Sequence, residues 1–538
     1  MRRAAAALAV GLLLAAALPP FDLGWAAWFL AAPLIVLALT AGRPLAAAGS
    51  GFLFGLAFHG ATFAWWYRLL VTYGRLSHPE AAGVYLLLDL YIASYFALFG
   101  FWCRLIAAKC GPPIAILLSP PLWAGLELIR GHLLTGLPWS LLGATQARHP
   151  IFLQVADLGG VTAVSLIVAA GNAAVAWAWL SWRRGRGDET ARRRGEPIGL
   201  HSPGGLLIPA ALLSVIGISV LYGAVRLMEK PAPVATLRFG LVQGNVPEEE
   251  KWEPVARLGI LQAHLRATRR AAEKGARLVV WPESSVPLPL MSKPEYHSAI
   301  VSLARELDID LLVGSVHYER RGEPGEKTYN SAFLLPGSGS SAAVPEQRYD
   351  KIHLVPYGEY VPLRRWLGFA DKLVAEASDF SPGDRPVVMV SQGARIAPLV
   401  CFEAVFPGLV RAFTREGAQV LVNITNDAFL GDSAGPRQHL ALAALRSVEN
   451  RRWLLRAANT GISAVIDDRG RLIDAIPYGT SGVLVADVPL LDRVSFFARY
   501  GEVLGWACVI LALAAPFAVR PAPGGTSWTK NYFDATQR

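Results

Sequence analysis

Hydrophobic positions follow two different rhythms along this chain. Over residues 1–231 and again over 501–520 they form long, almost unbroken apolar stretches. Over 232–500 short apolar runs alternate with polar, helix-like stretches. A helix needs about 20 apolar residues to cross a hydrocarbon core. Eight segments approach that length, roughly 4–20, 24–41, 47–70, 82–109, 112–130, 158–182, 205–226 and 502–519. The pattern predicts a multi-pass α-helical membrane domain over 1–231 with seven spans, a soluble domain over 232–500, and a final span with a short tail over 501–538. The first segment opens like a signal peptide, with "MRR" before an apolar run. No small-x-small cleavage site precedes "PPFDLG" and another span follows at once, so it is expected to stay as an anchor.

Within 232–500 the strand-like runs include "LRFGLVQGNV" (237–246), "RLVVWPES" (277–284), "DLLVGSVHY" (310–318), "NSAFLLP" (330–336), "RIAPLVCFE" (395–403), "VLVNITND" (420–427), "WLLRAAN" (453–459) and "SAVID" (463–467). Helix-like stretches lie between them, notably 253–274, 294–307 and 434–450. Strands that are apolar at nearly every position belong to sheets covered on both faces. Their alternation with helices predicts an α/β domain.

Composition agrees with this division. Hydrophobic residues make up 53% of the 538 and charged residues only 17%, against about a quarter charged in ordinary soluble domains. The net charge of +10 raises a nucleic-acid reading, and its distribution argues against one. Residues 232–500 carry 31 Lys+Arg and 30 Asp+Glu, leaving 20 basic and 11 acidic residues in the apolar part and the tails. No basic face interleaved with aromatics is visible, so no nucleic-acid partner is expected. The surplus orients helices in a bilayer instead. Arg2, Arg3, Arg43, Arg104, Lys109 and the six arginines of "SWRRGRGDETARRRGEPIG" fall on one side if the N-terminus is cytoplasmic. Residues 232–500 then lie outside the cytoplasm and the tail returns to it. The expected location is a membrane, with the soluble domain on its extracytoplasmic side.

Of the four cysteines, Cys103, Cys110 and Cys508 sit in or beside predicted spans, where cysteine acts as a small hydrophobe. Cys401 stands alone in the soluble domain, at the end of the apolar run "APLV". A lone thiol in an oxidising compartment has no partner for a disulfide. Two further polar residues follow or end apolar strands: Glu283 in "VVWPES" and Lys351 in "RYDKIHLVPYGEYVP", which also carries Glu359. Each has a bland reading, as buried filler for Cys401, a helix cap for Glu283 and a solvated surface group for Lys351. Together a thiol, a carboxylate and an amine are the ingredients of covalent acyl transfer. The thiol must lose its proton to attack. Glu283 is placed to take it, and Lys351 to favour the anion and the tetrahedral oxyanion. Histidines are sparse and lack ligand spacing, so neither a metal site nor a cofactor is expected.

These stretches, with "LVQGNVPEEEKW", "YNSAFLL", "CFEAVFP", "NITNDAFLGDSAGPRQHLALAALRSVEN", "LLRAANTGISAVID" and "LTGLPW" (134–139), resemble the nitrilase (carbon-nitrogen hydrolase) superfamily and, within it, the bacterial apolipoprotein N-acyltransferases. The resemblance covers nearly the whole chain. It implies an α-β-β-α sandwich beside the membrane domain and a Glu–Lys–Cys triad of Glu283, Lys351 and Cys401. It further implies an accessory glutamate at Glu359, nucleophile-flanking roles for Phe402 and Glu403, and substrate-binding roles for Trp252 and Asn330. Many relatives carry tyrosine where this chain has Phe402, so a hydroxyl is lost there and the ring is kept. The implied reaction moves an acyl chain from a phospholipid through a Cys401 thioester to the α-amine of a diacylglyceryl-modified apolipoprotein. The stretch 362–377, with Trp366, Leu367 and Phe369, is expected to act as a lid. Two alternatives stand beside this reading. The triad also suits a membrane-tethered amidase acting on a small amide, and the spans also suit a transporter or scaffold with a degenerate domain. A transporter, however, would carry paired charges inside its spans.

Overall fold

The computed structural model describes residues 1–187, 203–323, 325–337, 346–360 and 380–518. They form two compact units. One holds the described residues of Met1–Ala64, Ala82–Glu229 and Glu502–Arg538, the other Trp65–Ala81 and the described residues of Lys230–Gly501.

The first unit is helical. Five of its helices are long and apolar enough to cross a membrane: Pro44–Thr62, His78–Cys110, Pro112–Thr135, Ala156–Arg183 and Leu206–Met228. Gly24–Leu39 and Val503–Ala518 are apolar but shorter, and the N-terminal helix Arg2–Ala15 has 14 residues. Most of the arginine-rich connection after residue 182 and the tail after 518 lie outside the described residues.

The stretch expected to form one span over 47–70 divides. Its helix stops at Thr62, and a separate helix runs over Ala64–Thr72. The second piece packs in the other unit, where Trp65 Nε1 donates to Gln438 Oε1 at 3.2 Å. Tyr73 meets Phe429 edge-on with ring centroids 5.1 Å apart.

The second unit is a four-layer sandwich. One sheet has the order β12-β1-β2-β3-β4-β5 and the other β11-β10-β9-β8-β7-β6. In each, three parallel strands are flanked by antiparallel ones. The parallel trio is β1 (Ala235–Gln243), β2 (Leu278–Val280) and β3 (Asp310–Glu319) in the first sheet. In the second it is β7 (Ala394–Val400), β8 (Val420–Thr425) and β9 (Trp453–Ala458). The uninterrupted apolar strands now have their reason. Leu278 and Val280 face the cluster between the sheets, while Val279 between them faces the helix layer with Leu261, Ala267 and Ile300. With both faces buried, the period of two is satisfied by apolar residues at every position.

Beside β10 (Ser463–Ile466), which pairs antiparallel with both β9 and β11, the sheets gain four edge strands, β5 (Gln347–Asp350), β6 (Met389–Ser391), β11 (Leu472–Ile476) and β12 (Gly482–Leu490). They stand at or next to the edges, where one side of the ladder is open and apolar pattern is weak. β4 (Lys327–Leu335) pairs antiparallel with both β3 and β5.

Candidate active site

Cys401 directly follows β7 and opens the 3₁₀ turn Cys401–Val405. Its φ is +53°, a left-handed conformation that costs an L-residue about 1–2 kcal/mol and turns its side chain away from the strand direction. Glu403, fully buried, holds this turn. Its Oε2 accepts from Val400 N at 2.7 Å, and its Oε1 accepts from Tyr349 Oη at 2.7 Å, Ile352 N at 2.7 Å and His353 N at 3.1 Å. One carboxylate therefore ties the nucleophile turn to the residues on both sides of Lys351. Burial, countered by these donors, pushes the Glu403 carboxyl up to about 7.

Glu283 lies just beyond β2. Trp281 N still donates to Leu312 O at 2.8 Å, which carries the chain along β3. Gly314 on β3 makes the approach possible, since a Cβ there would lie 2.6 Å from Pro282 O and 2.8 Å from Glu283 Cα. Lys351 follows β5, and its N–H donates to Asn330 O on β4 at 2.9 Å. Sheet order thus delivers Glu283, Asn330 and Lys351 side by side from β2, β4 and β5, although β2 and β4 are separated in sequence by some fifty residues.

The side chains close on one another. Asn330 Nδ2 donates to Glu283 Oε1 at 2.7 Å and to Glu359 Oε1 at 2.8 Å. Lys351 Nζ donates to Glu359 Oε1 at 2.9 Å and lies 2.8 Å from Glu359 Oε2 and 3.7 Å from Glu283 Oε1. Glu283 Oε2 accepts from Asn426 N at 2.8 Å, and Glu359 Oε2 from Val355 N at 2.8 Å. Because Asn330 Nδ2 points at two carboxylates, its Oδ1 is left buried with no donor among the described residues.

The electrostatics suit proton transfer rather than a resting thiolate. Burial, reinforced by the nearby Glu283 charge and opposed by Lys351, pushes the Cys401 thiol up to about 12. Glu283 is also raised, first by burial and then by Glu359, while Lys351 works against both. Burial pulls the Lys351 ammonium down, but Glu359, Glu283 and Cys401 outweigh it and the net shift is upward, so Lys351 stays charged. A charged lysine, a basic carboxylate and a protonated thiol are thus held together out of water.

Four groups behind Cys401 are not singled out by the sequence. His439 Nε2 lies 3.3 Å from Cys401 O, and Asn423 Nδ2 donates to the same oxygen at 3.2 Å. His439 Nδ1 is 3.1 Å from Asp427 Oδ1, and Arg456 donates to Asp427 Oδ2 at 2.7 Å and also to Asn423 Oδ1. Burial alone would raise the Asp427 carboxyl, yet Arg456 and His439 hold it well below the usual carboxylate range. The only trace of this support in the sequence is the clustering of polar residues in "NITNDAF", at the end of an otherwise apolar strand.

Phe402 points its ring at Phe406, edge-on at 4.9 Å between centroids, with His353 6.2 Å away. Trp252 is 44% exposed at the rim, with Nε1 donating to Glu248 Oε1 at 2.8 Å. All eight site residues read from the sequence belong to this one unit. Glu283, Lys351, Glu359 and Asn330 touch one another, Glu403 braces the nucleophile turn, and Phe402 and Trp252 are peripheral. The expected lid at 362–377 lies outside the described residues. Among the described residues, no group of three or more His, Cys, Asp and Glu side chains is arranged to hold a metal ion.

Two stacked sheets between helix layers make this unit a nitrilase-like α/β domain of the carbon-nitrogen hydrolase class. The profile of the family described as carbon-nitrogen hydrolase matches residues 238–495, and that of the apolipoprotein N-acyltransferase N-terminal domain matches 10–174. The apolipoprotein N-acyltransferase of Geobacter metallireducens is 40% identical over 515 residues, covering 95% of this chain and 94% of its own length. That of Azotobacter vinelandii is 33% identical over 531 residues, covering 96% of each. Among solved structures, an amidase of the nitrilase superfamily from Nesterenkonia AN1 is 24% identical with a TM-score of 0.36, covering 47% of this chain and 90% of that one. The chain belongs to the apolipoprotein N-acyltransferase family, and it is an acyltransferase.

Proposed function

We propose that this chain N-acylates lipoproteins in two steps through a thioester on Cys401, with a phospholipid as acyl donor. The observation that carries the reading is the buried Glu283–Asn330–Glu359–Lys351 cluster beside Cys401, in a chain whose two halves both match the family.

In the first step Glu283 takes the Cys401 thiol proton as sulfur attacks the ester carbonyl carbon. A C–S bond forms, and the carbonyl π pair moves to oxygen, where Lys351 stabilises it. The tetrahedral adduct expels the lysophospholipid alkoxide, which takes the proton back from Glu283. In the second step the neutral α-amine of a diacylglyceryl-cysteine attacks the thioester. An α-amino pKa near 7.7–8.0 makes the neutral form accessible at neutral pH. Glu283 accepts the amine proton, the amide forms, and the cysteine thiol is regenerated.

Asn330 Oδ1, an acceptor with no donor among the described residues, is positioned to receive an N–H of that amine. Glu359 fixes Lys351, Glu403 fixes the nucleophile turn, and Phe402 and Trp252 line the approach of the acyl chains. The apolar helices support a membrane location, since both substrates are lipid-anchored and a site held at their surface confines enzyme and substrates together. In this reading the termini are cytoplasmic and the catalytic unit is periplasmic, at the inner membrane.

Incubation of the full-length enzyme in detergent with phospholipid alone, followed by intact mass measurement, tests the first step. A hydroxylamine-sensitive acyl adduct absent from Cys401→Ala is expected. Addition of a diacylglyceryl-cysteine peptide should discharge it to an amide. No adduct, together with Cys401-dependent hydrolysis of a small amide, would replace this reading with the amidase one.

A further inference from the structure

A lysine absent from the expected triad lies buried beside it. Lys251, at the end of the short helix Glu248–Lys251, is 2% exposed. Its ammonium carries three N–H donors, yet among the described residues it makes one hydrogen bond, to Glu283 O at 3.2 Å. It also lies 5.8 Å from the Trp252 ring centroid. Neither neighbouring carboxylate is committed to it. Glu248 Oε1 accepts from Trp252 Nε1 at 2.8 Å and Glu248 Oε2 from Asn426 Nδ2 at 2.6 Å. The Glu283 oxygens face Asn330, Lys351 and Asn426 N. An ammonium this buried is costly unless its charge meets an opposite one.

We propose that Lys251 is a second cation of the acyl-transfer site, placed to hold the negative charge that develops on the Cys401 sulfur and on the ester carbonyl oxygen of the acyl donor. The inference deepens the acyl-transfer reading above and rests on it. Lys351 is bound to Glu359 through both carboxylate oxygens, so much of its charge is matched before substrate arrives. When the thiol proton passes to Glu283, that carboxylate is neutralised and one new negative charge appears, first on sulfur and then on the former carbonyl oxygen. Lys251, anchored on the Glu283 main chain, has two donors free among the described residues with which to meet that charge. The sites act on each other electrostatically. Burial lowers the Lys251 ammonium, and Glu248, Glu283 and Cys401 offset that only in part, so the net shift is downward and a new negative charge at the site favours the charged form.

The test compares Lys251→Met and Lys251→Arg with wild type as full-length protein in detergent. Two rates are read at pH 8: alkylation of Cys401 by iodoacetamide, which needs no lipid, and acyl-adduct formation from phosphatidylethanolamine/phosphatidylglycerol micelles. Lys251→Met should alkylate about tenfold more slowly, as a tenfold smaller thiolate fraction requires, and acylate about 10²–10³-fold more slowly. Lys251→Arg, which keeps the charge, should alkylate within about twofold of wild type and acylate within about tenfold.

Wild-type rates in folded Lys251→Met overturn the proposal, as does an equal loss in both variants, which would mark Lys251 as packing only. If Lys251→Met does not fold, a loss of alkylation beyond about twofold in folded Lys251→Arg overturns it. Failure of wild type to form any adduct would instead sink the acyl-transfer reading, while the alkylation rates still decide the role of Lys251.

Discussion

The Lys351 ammonium is clamped by Glu359, with Nζ 2.9 Å from Oε1 and 2.8 Å from Oε2. Glu359 thereby fixes where the positive charge stands relative to the sulfur. Glu359→Gln halves the clamp and removes a buried counter-charge while leaving Lys351 in place. Acyl-adduct formation, followed by quenched mass measurement, should fall by about 10²-fold, the scale of one misplaced oxyanion partner. Adduct formation at the wild-type rate would remove Glu359 from the machinery.

Cys401 sits at φ +53°, so its replacement separates strain from chemistry. Cys401→Ala and Cys401→Gly should both form no adduct. Glycine ordinarily loses about 0.5–1 kcal/mol to alanine through chain entropy. Here the left-handed backbone returns about 1–2 kcal/mol. Cys401→Gly should therefore unfold at a temperature no lower than Cys401→Ala in matched detergent. A clearly lower value would mean that the turn is not strained.

Acylation should depend on pH through Glu283 rather than through a preformed thiolate. Burial raises the Glu283 carboxyl, and its deprotonated form is the proposed base. The rate should therefore fall as pH drops, with a midpoint above the ordinary glutamate value of about 4.3. The thiol is pushed up to about 12. Alkylation should then keep rising with pH well past the usual cysteine value of about 8.5. A plateau reached near pH 8.5 would contradict the buried, protonated resting state.

Asp427 is held low by Arg456 and His439, which makes it a stability element with a definite sign. A depressed carboxyl stabilises the fold above its unfolded pKa of about 3.9 and loses that contribution as pH falls through its folded value. Asp427→Asn leaves Arg456 buried without its counter-ion, a change typically costing about 3–5 kcal/mol. The stability gap between wild type and Asp427→Asn, measured by denaturant unfolding, should be widest near neutrality and narrow below about pH 4. A gap that does not change with pH would show that the charge pair is not what holds the Cys401 turn from behind.

How much of this was written in the chain depends on how local the signal is. Long apolar runs need no partner to be recognised, because hydrocarbon thickness alone sets their length. Strands buried on both faces are apolar throughout, so β1, β3, β7, β8 and β9 stood out, and Glu283 and Cys401 were visible as polar residues ending such strands. Edge and edge-adjacent strands such as β5 and β11 carry weaker patterns, since only their pairing makes them strands.

What only the tertiary structure decided is which polar residues are removed from water, and by what. Nothing in "EEEKW" marks Lys251 or Glu248 as buried, yet packing buries Lys251 against Glu283 O and turns Glu248 toward Asn426. Glu403 reads as a flank of the nucleophile, yet it is the brace of the turn. Residues 65–70 read as the end of a span, yet they pack with the catalytic unit. The physical reason is the same in each case. Sequence records the chemistry a residue carries, while burial and pairing depend on neighbours far away in the chain, and at this site those two quantities set the charge state on which the reaction runs.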